Sequence, residues 1–130
     1  MTVLVVDDDE VYLRSVRRRL KGVVRCENSI ARGLGVAREW QPAVIVLDVR
    51  FKTEQLLGLD YIREFMAASP RAKVIVTSSL YDENDALAAL ELGAFSYAEK
   101  GDVAALRGLT ELARTQVENV FVPVVSGWVQ

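Results

Sequence analysis

Short runs of β-branched and apolar residues recur along this chain, each followed by a stretch in which apolar residues return every three or four positions. Val3 to Val6, Val23 to Cys26, Ala43 to Leu47, Val74 to Thr77 and Phe95 to Ala98 have the length and composition of strands. Leu13, Val16 and Leu20, then Leu34 and Ala37 into Trp40, Leu59, Ile62 and Met66, Ala86, Leu90 and Gly93, and finally Val103, Leu106, Leu109 and Ala113 follow helical spacing. The first, third and fourth runs are apolar at consecutive positions, as strands are when helices cover both faces of a parallel sheet. Five βα units in series close, through right-handed crossovers, into a doubly wound parallel sheet with the expected strand order 2-1-3-4-5.

Boundary residues agree with this division. Asp9 and Ser29 are placed to cap the first two helices, Gly22 to end the first, and Pro42 and Pro70 to stop the second and third. Asp82, Glu83, Asn84 and Asp85 charge the start of the fourth. A chain of 130 residues, 51% of them hydrophobic, suffices for one compact domain. That domain is expected over residues 1–118. Residues 119–130 form an apolar tail that either packs back as an extra strand or supplies a dimer or partner surface through residues such as Trp128.

Composition removes several classes of function. The net charge of −2 lacks the positive field that direct nucleic acid binding draws on. The longest apolar runs fall well short of the roughly 20 residues that span a bilayer, so no membrane segment is expected. Because the N-terminus enters a strand at once, without a basic leader, a cytoplasmic location is expected, and lone Cys26, read as a small buried side chain, agrees with a reducing compartment. Histidine is absent, which excludes His-based zinc sites, Ser-His and Cys-His nucleophiles and phosphohistidine carriers. Chemistry must rest on Asp, Glu, Lys, Ser, Thr or Tyr.

In a doubly wound sheet ligands bind beyond the carboxyl ends of the strands, and there the sequence is chemically loaded. Asp7, Asp8 and Asp9 follow the first strand, Asp48 the third, Thr77, Ser78 and Ser79 the fourth, and Glu99 and Lys100 the fifth. Carboxylates gathered in one cleft repel one another, and a divalent cation relieves that repulsion. Oxygen ligands alone suit Mg²⁺, which takes a few carboxylates, several waters and phosphate oxygens. Asp48 at the end of the central strand is placed to attack phosphorus, with Lys100 and the cation offsetting charge on the phosphoryl oxygens.

These strings resemble the receiver domains of response regulators over residues 2 to about 117. VLVVDDDE at 3–10 is similar to the family's acidic-pair strand, VIVLD at 44–48 to its phosphoacceptor strand, VIVTSS at 74–79 to its switch-hydroxyl strand, and LGAFSYAEK at 92–100 to its aromatic and lysine segment. The resemblance implies a flavodoxin-like α/β fold and a Mg²⁺ site at Asp7, Asp8, Asp48 and the backbone carbonyl of Arg50. It further implies phosphorylation of Asp48 assisted by Lys100, and a switch through Tyr97 with Ser78 or Thr77. Counting back from Gly93 without a gap selects Ser78, whereas the local string favours Thr77. A sensor histidine kinase or phosphotransfer protein as donor, and an output protein read through the fourth helix, fifth strand and fifth helix, are implied as partners.

Two departures from the family pattern stand out. Phe51 and Lys52 occupy the usual Met-Pro position, and Gly58 falls ten positions after Asp48 rather than about eight, so the intervening loop, with Arg50, Lys52 and Glu54, is two residues longer. Gly101 follows Lys100 where proline is frequent. The chain is therefore expected to act as a stand-alone receiver and not as an enzyme, beyond assisting its own phosphorylation and dephosphorylation. A phosphate-independent adaptor with the same fold is the alternative. Asp7, Asp9 and Val11 also fit the first motif of haloacid-dehalogenase-like phosphatases, but the acidic pair that family needs after its lysine is missing. Arg14, Arg17, Arg18, Arg19 and Lys21 are read as a solvated outer face of the first helix or as a docking surface for an acidic kinase patch. Trp40 is read as packing.

Overall fold

The computed structural model describes residues 1–52 and 55–115, Leu56 by its backbone only, so Glu54 and the tail at 119–130 lie outside the described residues. Strand β1 (Thr2–Val6) leads to helix α1 (Glu10–Arg19), β2 (Val23–Glu27) to α2 (Ile30–Trp40), and β3 (Val44–Asp48) to a short pair, β4 (Arg50–Phe51) and β5 (Leu56–Leu57). A 3₁₀ turn (Gly58–Tyr61) then enters α3 (Ile62–Ala68), followed by β6 (Lys73–Ser78), α4 (Glu83–Glu91), β7 (Ser96–Glu99) and α5 (Val103–Thr115). The main sheet is parallel and ordered β2-β1-β3-β6-β7, which is the expected 2-1-3-4-5 order once the β4–β5 pair is set aside.

Strand alternation divides the interior into two layers. Leu4, Val6, Ile45, Leu47, Val74 and Val76 face α2, α3 and α4, where Ile30, Leu34, Ile62, Phe65 and Ala89 complete the packing. Val3, Val5, Val44, Val46 and Ile75 face α1 and α5, against Leu13, Val16, Leu106 and Leu109. Both faces of β1, β3 and β6 are thus dry, which is why their sequences read as unbroken apolar runs. β2, at the sheet edge, is only partly covered.

Caps set the helix starts. Asp9 Oδ1 accepts from the Tyr12 N–H, Ser29 Oγ from the Arg32 N–H and Asp82 Oδ1 from the Asp85 N–H, each at 3.0–3.2 Å. Ser29→Ala should therefore lower stability by about 1 kcal/mol, read as a shift in the urea midpoint. Gly22 does not cap α1, which ends at Leu20; at φ 95° it turns the chain into β2, and a Cβ there would lie 2.3 Å from the Met1 carbonyl oxygen. Pro42 and Pro70 follow the caps Gln41 and Ser69, as expected. Leu59 stands in the 3₁₀ turn ahead of α3 rather than in the helix, and Cys26 is half-buried rather than buried. Trp40 packs on the α2 side of the core and carries the Arg25 guanidinium 5.2 Å from its ring centre.

The short hairpin accounts for the longer loop after Asp48. Arg50 pairs with Leu57 and Phe51 with Leu56 in an antiparallel ribbon. Phe51 is buried in the α2–α3–α4 layer and anchors it. Gly58 is thereby returned to Asp48: its N–H donates to the Val49 carbonyl, and a Cβ at position 58 would sit 1.8 Å from the Asp48 carbonyl oxygen.

Candidate functional site

The carboxyl ends of β1, β3, β6 and β7 converge on one pocket. Parallel register places Val6 beside Leu47, Asp48 beside Thr77, and Ser78 beside Glu99, so the residues that follow these strands share a rim. Asp7 and Asp48 are buried and Asp8 is half-buried. One carboxylate oxygen from each lies within 4.8 Å of the others.

Lys100 reaches into the pocket beside this cluster. Its Nζ stands 2.8 Å from Asp7 Oδ2 and 4.0 Å from Asp48 Oδ2. The contact with Asp7 is an ion pair that is close without being aligned as a hydrogen bond. The Lys100 N–H donates to the Ser78 carbonyl at 2.7 Å, tying the end of β7 to β6 just before Gly101. The other Asp7 oxygen accepts from the Asp9 N–H at 2.9 Å. Asp9 itself is engaged as the cap of α1, which occupies the carboxylate that a dehalogenase-like reading needs as an acid-base group.

Burial dominates the electrostatics. It pushes the Asp48 carboxyl up to about 7, with the Asp7 charge adding to the rise and Lys100 and the Arg50 N–H opposing it. Asp7 is raised as well, by burial first, against the pull of Lys100 and the Asp9 N–H. Lys100 is desolvated, yet Asp7 and Asp48 hold its pKa above the usual lysine value. The site gathers more negative charge than one ammonium balances. This oxygen-only donor set of closely spaced carboxylates fits a hard divalent cation of the Mg²⁺ type.

Ser78 and Thr77 point to opposite faces of β6. The Ser78 hydroxyl donates to the Leu80 carbonyl, so its oxygen accepts from the Tyr97 hydroxyl, 2.5 Å away. Tyr97 is 1% exposed and packs edge-on against Tyr81, with ring centres 6.0 Å apart. Thr77 faces α1 and lies beside the Tyr12 hydroxyl. Arg50 opens β4 with its side chain directed to α4, where Nη2 meets Asp85 Oδ2 at 3.4 Å. Lys52 is exposed at the hairpin turn.

The structure thus brings Asp7, Asp8, Asp48 and Lys100 into one pocket, with Ser78 and Tyr97 joined beside it. Gly58, read from the sequence as the glycine that closes the longer loop, forms the floor under Asp48. One participant was not singled out from the sequence. Tyr12 lies with its ring 4.6 Å from Lys100 Nζ. Its signal was an aromatic residue on an otherwise aliphatic helix face, four positions after Asp8.

Among the described residues, no helix is long and apolar enough to cross a membrane. The model of the response regulator receiver domain matches residues 3–112. The photosynthetic apparatus regulatory protein RegA of Rhodovulum sulfidophilum is 31% identical over 102 residues, covering 76% of this chain and 55% of its own. The KDP operon transcriptional regulatory protein KdpE of Escherichia coli is 34% identical over 102 residues, covering 75% and 44%. This chain therefore spans about half the length of the curated relatives it matches. A response regulator from Burkholderia pseudomallei, solved with a phosphorylated aspartic acid, calcium ion and citrate, shares the fold at a TM-score of 0.73 and 23% identity over 92% of this chain and 75% of that one.

Proposed function

Because this chain belongs to the response-regulator receiver family, we propose that Asp48 accepts a phosphoryl group and that the chain's affinity for a second protein changes with its phosphorylation. The observation that carries this reading is the buried Asp7–Asp8–Asp48 cluster with Lys100 Nζ between Asp7 and Asp48. A carboxylate that is crowded and buried can neutralise its neighbourhood by binding a cation, and then stands ready as a nucleophile.

In this reading an Asp48 oxygen attacks phosphorus, the bond from phosphorus to the donor's nitrogen or oxygen breaks, and the leaving group departs with the electron pair. Water later attacks the same phosphorus, the bond to Asp48 breaks, and phosphate is released with the carboxylate restored. Asp7, Asp8, Asp48 and the Arg50 carbonyl would hold Mg²⁺, which supplies charge neutralisation on the phosphoryl oxygens when bound. Lys100 provides a second positive charge by leaving Asp7 for the phosphoryl group. A sensor histidine kinase or a phosphotransfer protein is the proposed donor, in the cytoplasm.

The route to the partner starts at Ser78. Its single proton rests on the Leu80 carbonyl, so a hydrogen bond to a phosphoryl oxygen frees that carbonyl and the loop leading to α4. Tyr97, which donates to Ser78, then re-forms its contacts with the same loop. An output protein reading α4, β7 and α5 would sense the change as a shift between two populations.

The test is incubation with acetyl phosphate and Mg²⁺ followed by intact mass and mapping of the modified peptide. The expected result is one added phosphoryl mass on the peptide containing Asp48, lost when EDTA removes the cation. No gain under conditions that modify a known receiver would overturn the reading and favour the phosphate-independent adaptor.

A further inference from the structure

Tyr12 is buried on the α1–α5 face, with its hydroxyl beside Thr77. Its ring offers a face to Lys100, whose Nζ lies 4.6 Å from the ring centre. From this geometry we infer that Tyr12 is a positioning residue for Lys100, a support that holds the ammonium while it passes between Asp7 and the phosphoryl group. The inference rests on the proposed phosphorylation of Asp48.

The reason lies in the directionality of the contacts. Lys100 is 2.8 Å from Asp7 but 4.0 Å from Asp48, so at rest it belongs to Asp7. To serve the phosphoryl group it must move off that partner inside a pocket where its side chain is only 12% exposed and water offers little compensation. A hydrogen-bond acceptor would hold the ammonium at one point. An aromatic face attracts a cation over a broad area, so the same contact persists along the path. The backbone end of Lys100 is fixed separately, by its N–H on the Ser78 carbonyl, which leaves the side chain as the moving part.

Because the support comes from the ring and not the hydroxyl, conservative and non-conservative changes should separate. Tyr12→Phe is expected to phosphorylate at the wild-type rate with acetyl phosphate and Mg²⁺, whereas Tyr12→Leu should be slower by about tenfold. The Lys100 ε-methylene protons provide a readout that does not depend on activity. Ring current should displace their resonance upfield in wild type and Tyr12→Phe, and the displacement should vanish in Tyr12→Leu, with urea denaturation verifying that each variant is folded. Equal losses in Tyr12→Phe and Tyr12→Leu would overturn the inference by assigning the effect to the hydroxyl. So would a Tyr12→Leu protein that phosphorylates normally, or wild-type methylene resonances at ordinary shifts. If wild type takes up no phosphoryl group, the reading of Asp48 falls and the positioning role falls with it. Uptake by wild type with no difference in Tyr12→Leu overturns the role of Tyr12 alone.

Discussion

Asp48→Asn is expected to abolish phosphoryl uptake and at the same time to make the metal-free protein more stable at pH 8 by on the order of 2 kcal/mol. Both effects have the same origin. Asp48 is 5% exposed, and burial with the Asp7 charge raises its carboxyl to about 7, whereas in the unfolded chain it titrates near its ordinary value of 3.8. The native state thus binds the proton more tightly than the unfolded state. Stability contributed by this group is fully present below pH 3.8 and is lost as pH rises through about 7, above which the charged form bears the whole penalty. Asparagine keeps the shape and removes the charge. Lys100 is not orphaned by the change, since Asp7 remains 2.8 Å away. The gain should therefore be large at pH 8 and mostly gone at pH 4, measured by urea denaturation in EDTA. Mg²⁺ should stabilise wild type at pH 8 and stabilise Asp48→Asn much less. A variant less stable than wild type at pH 8, or a difference independent of pH, would contradict this account of the pocket.

The same pocket marks where sequence reading reached its limit. The strands of the main sheet were legible because burial on both faces leaves unbroken apolar runs at Val3–Val6, Val44–Leu47 and Val74–Val76, which Asp7, Asp48 and Thr77 interrupt abruptly. Only the alternation of faces along β6 separates the two adjacent hydroxyls, turning Ser78 to Tyr97 and Thr77 to Tyr12; a linear string holds that information only if the register is already known. The β4–β5 pair was read as a longer loop, since two-residue strands have no periodicity to detect. Tyr12 was passed over for a different reason. Its spacing places it among core residues, and its contact with Lys100 joins positions distant in sequence that meet only once the sheet is assembled.

Gly58→Ala should be the most damaging single-methyl change near the site. Position 58 does not require glycine for its backbone angles, for among the described residues only Gly22, Gly93, Gln41 and Gln55 have positive φ. It requires glycine for space. An added Cβ would lie 1.8 Å from the Asp48 carbonyl oxygen and 2.9 Å from the carbonyl carbon, contacts that no side-chain rotation can relieve because both partners are backbone. Either the 3₁₀ turn or the end of β3 must move. The turn is held by the Gly58 N–H on the Val49 carbonyl, and β3 by its pairing with both β1 and β6, so the displacement falls on the segment carrying Asp48 and Arg50. Overpacking of this kind costs about 1–3 kcal/mol, and a misplacement of about 1 Å at a reacting group slows chemistry on the order of a hundredfold. The expected outcome is a folded protein with a lower urea midpoint and a phosphorylation rate reduced far more than its folded fraction. Phosphorylation that declines only in proportion to unfolding would mean that the turn yields instead, leaving Asp48 in place.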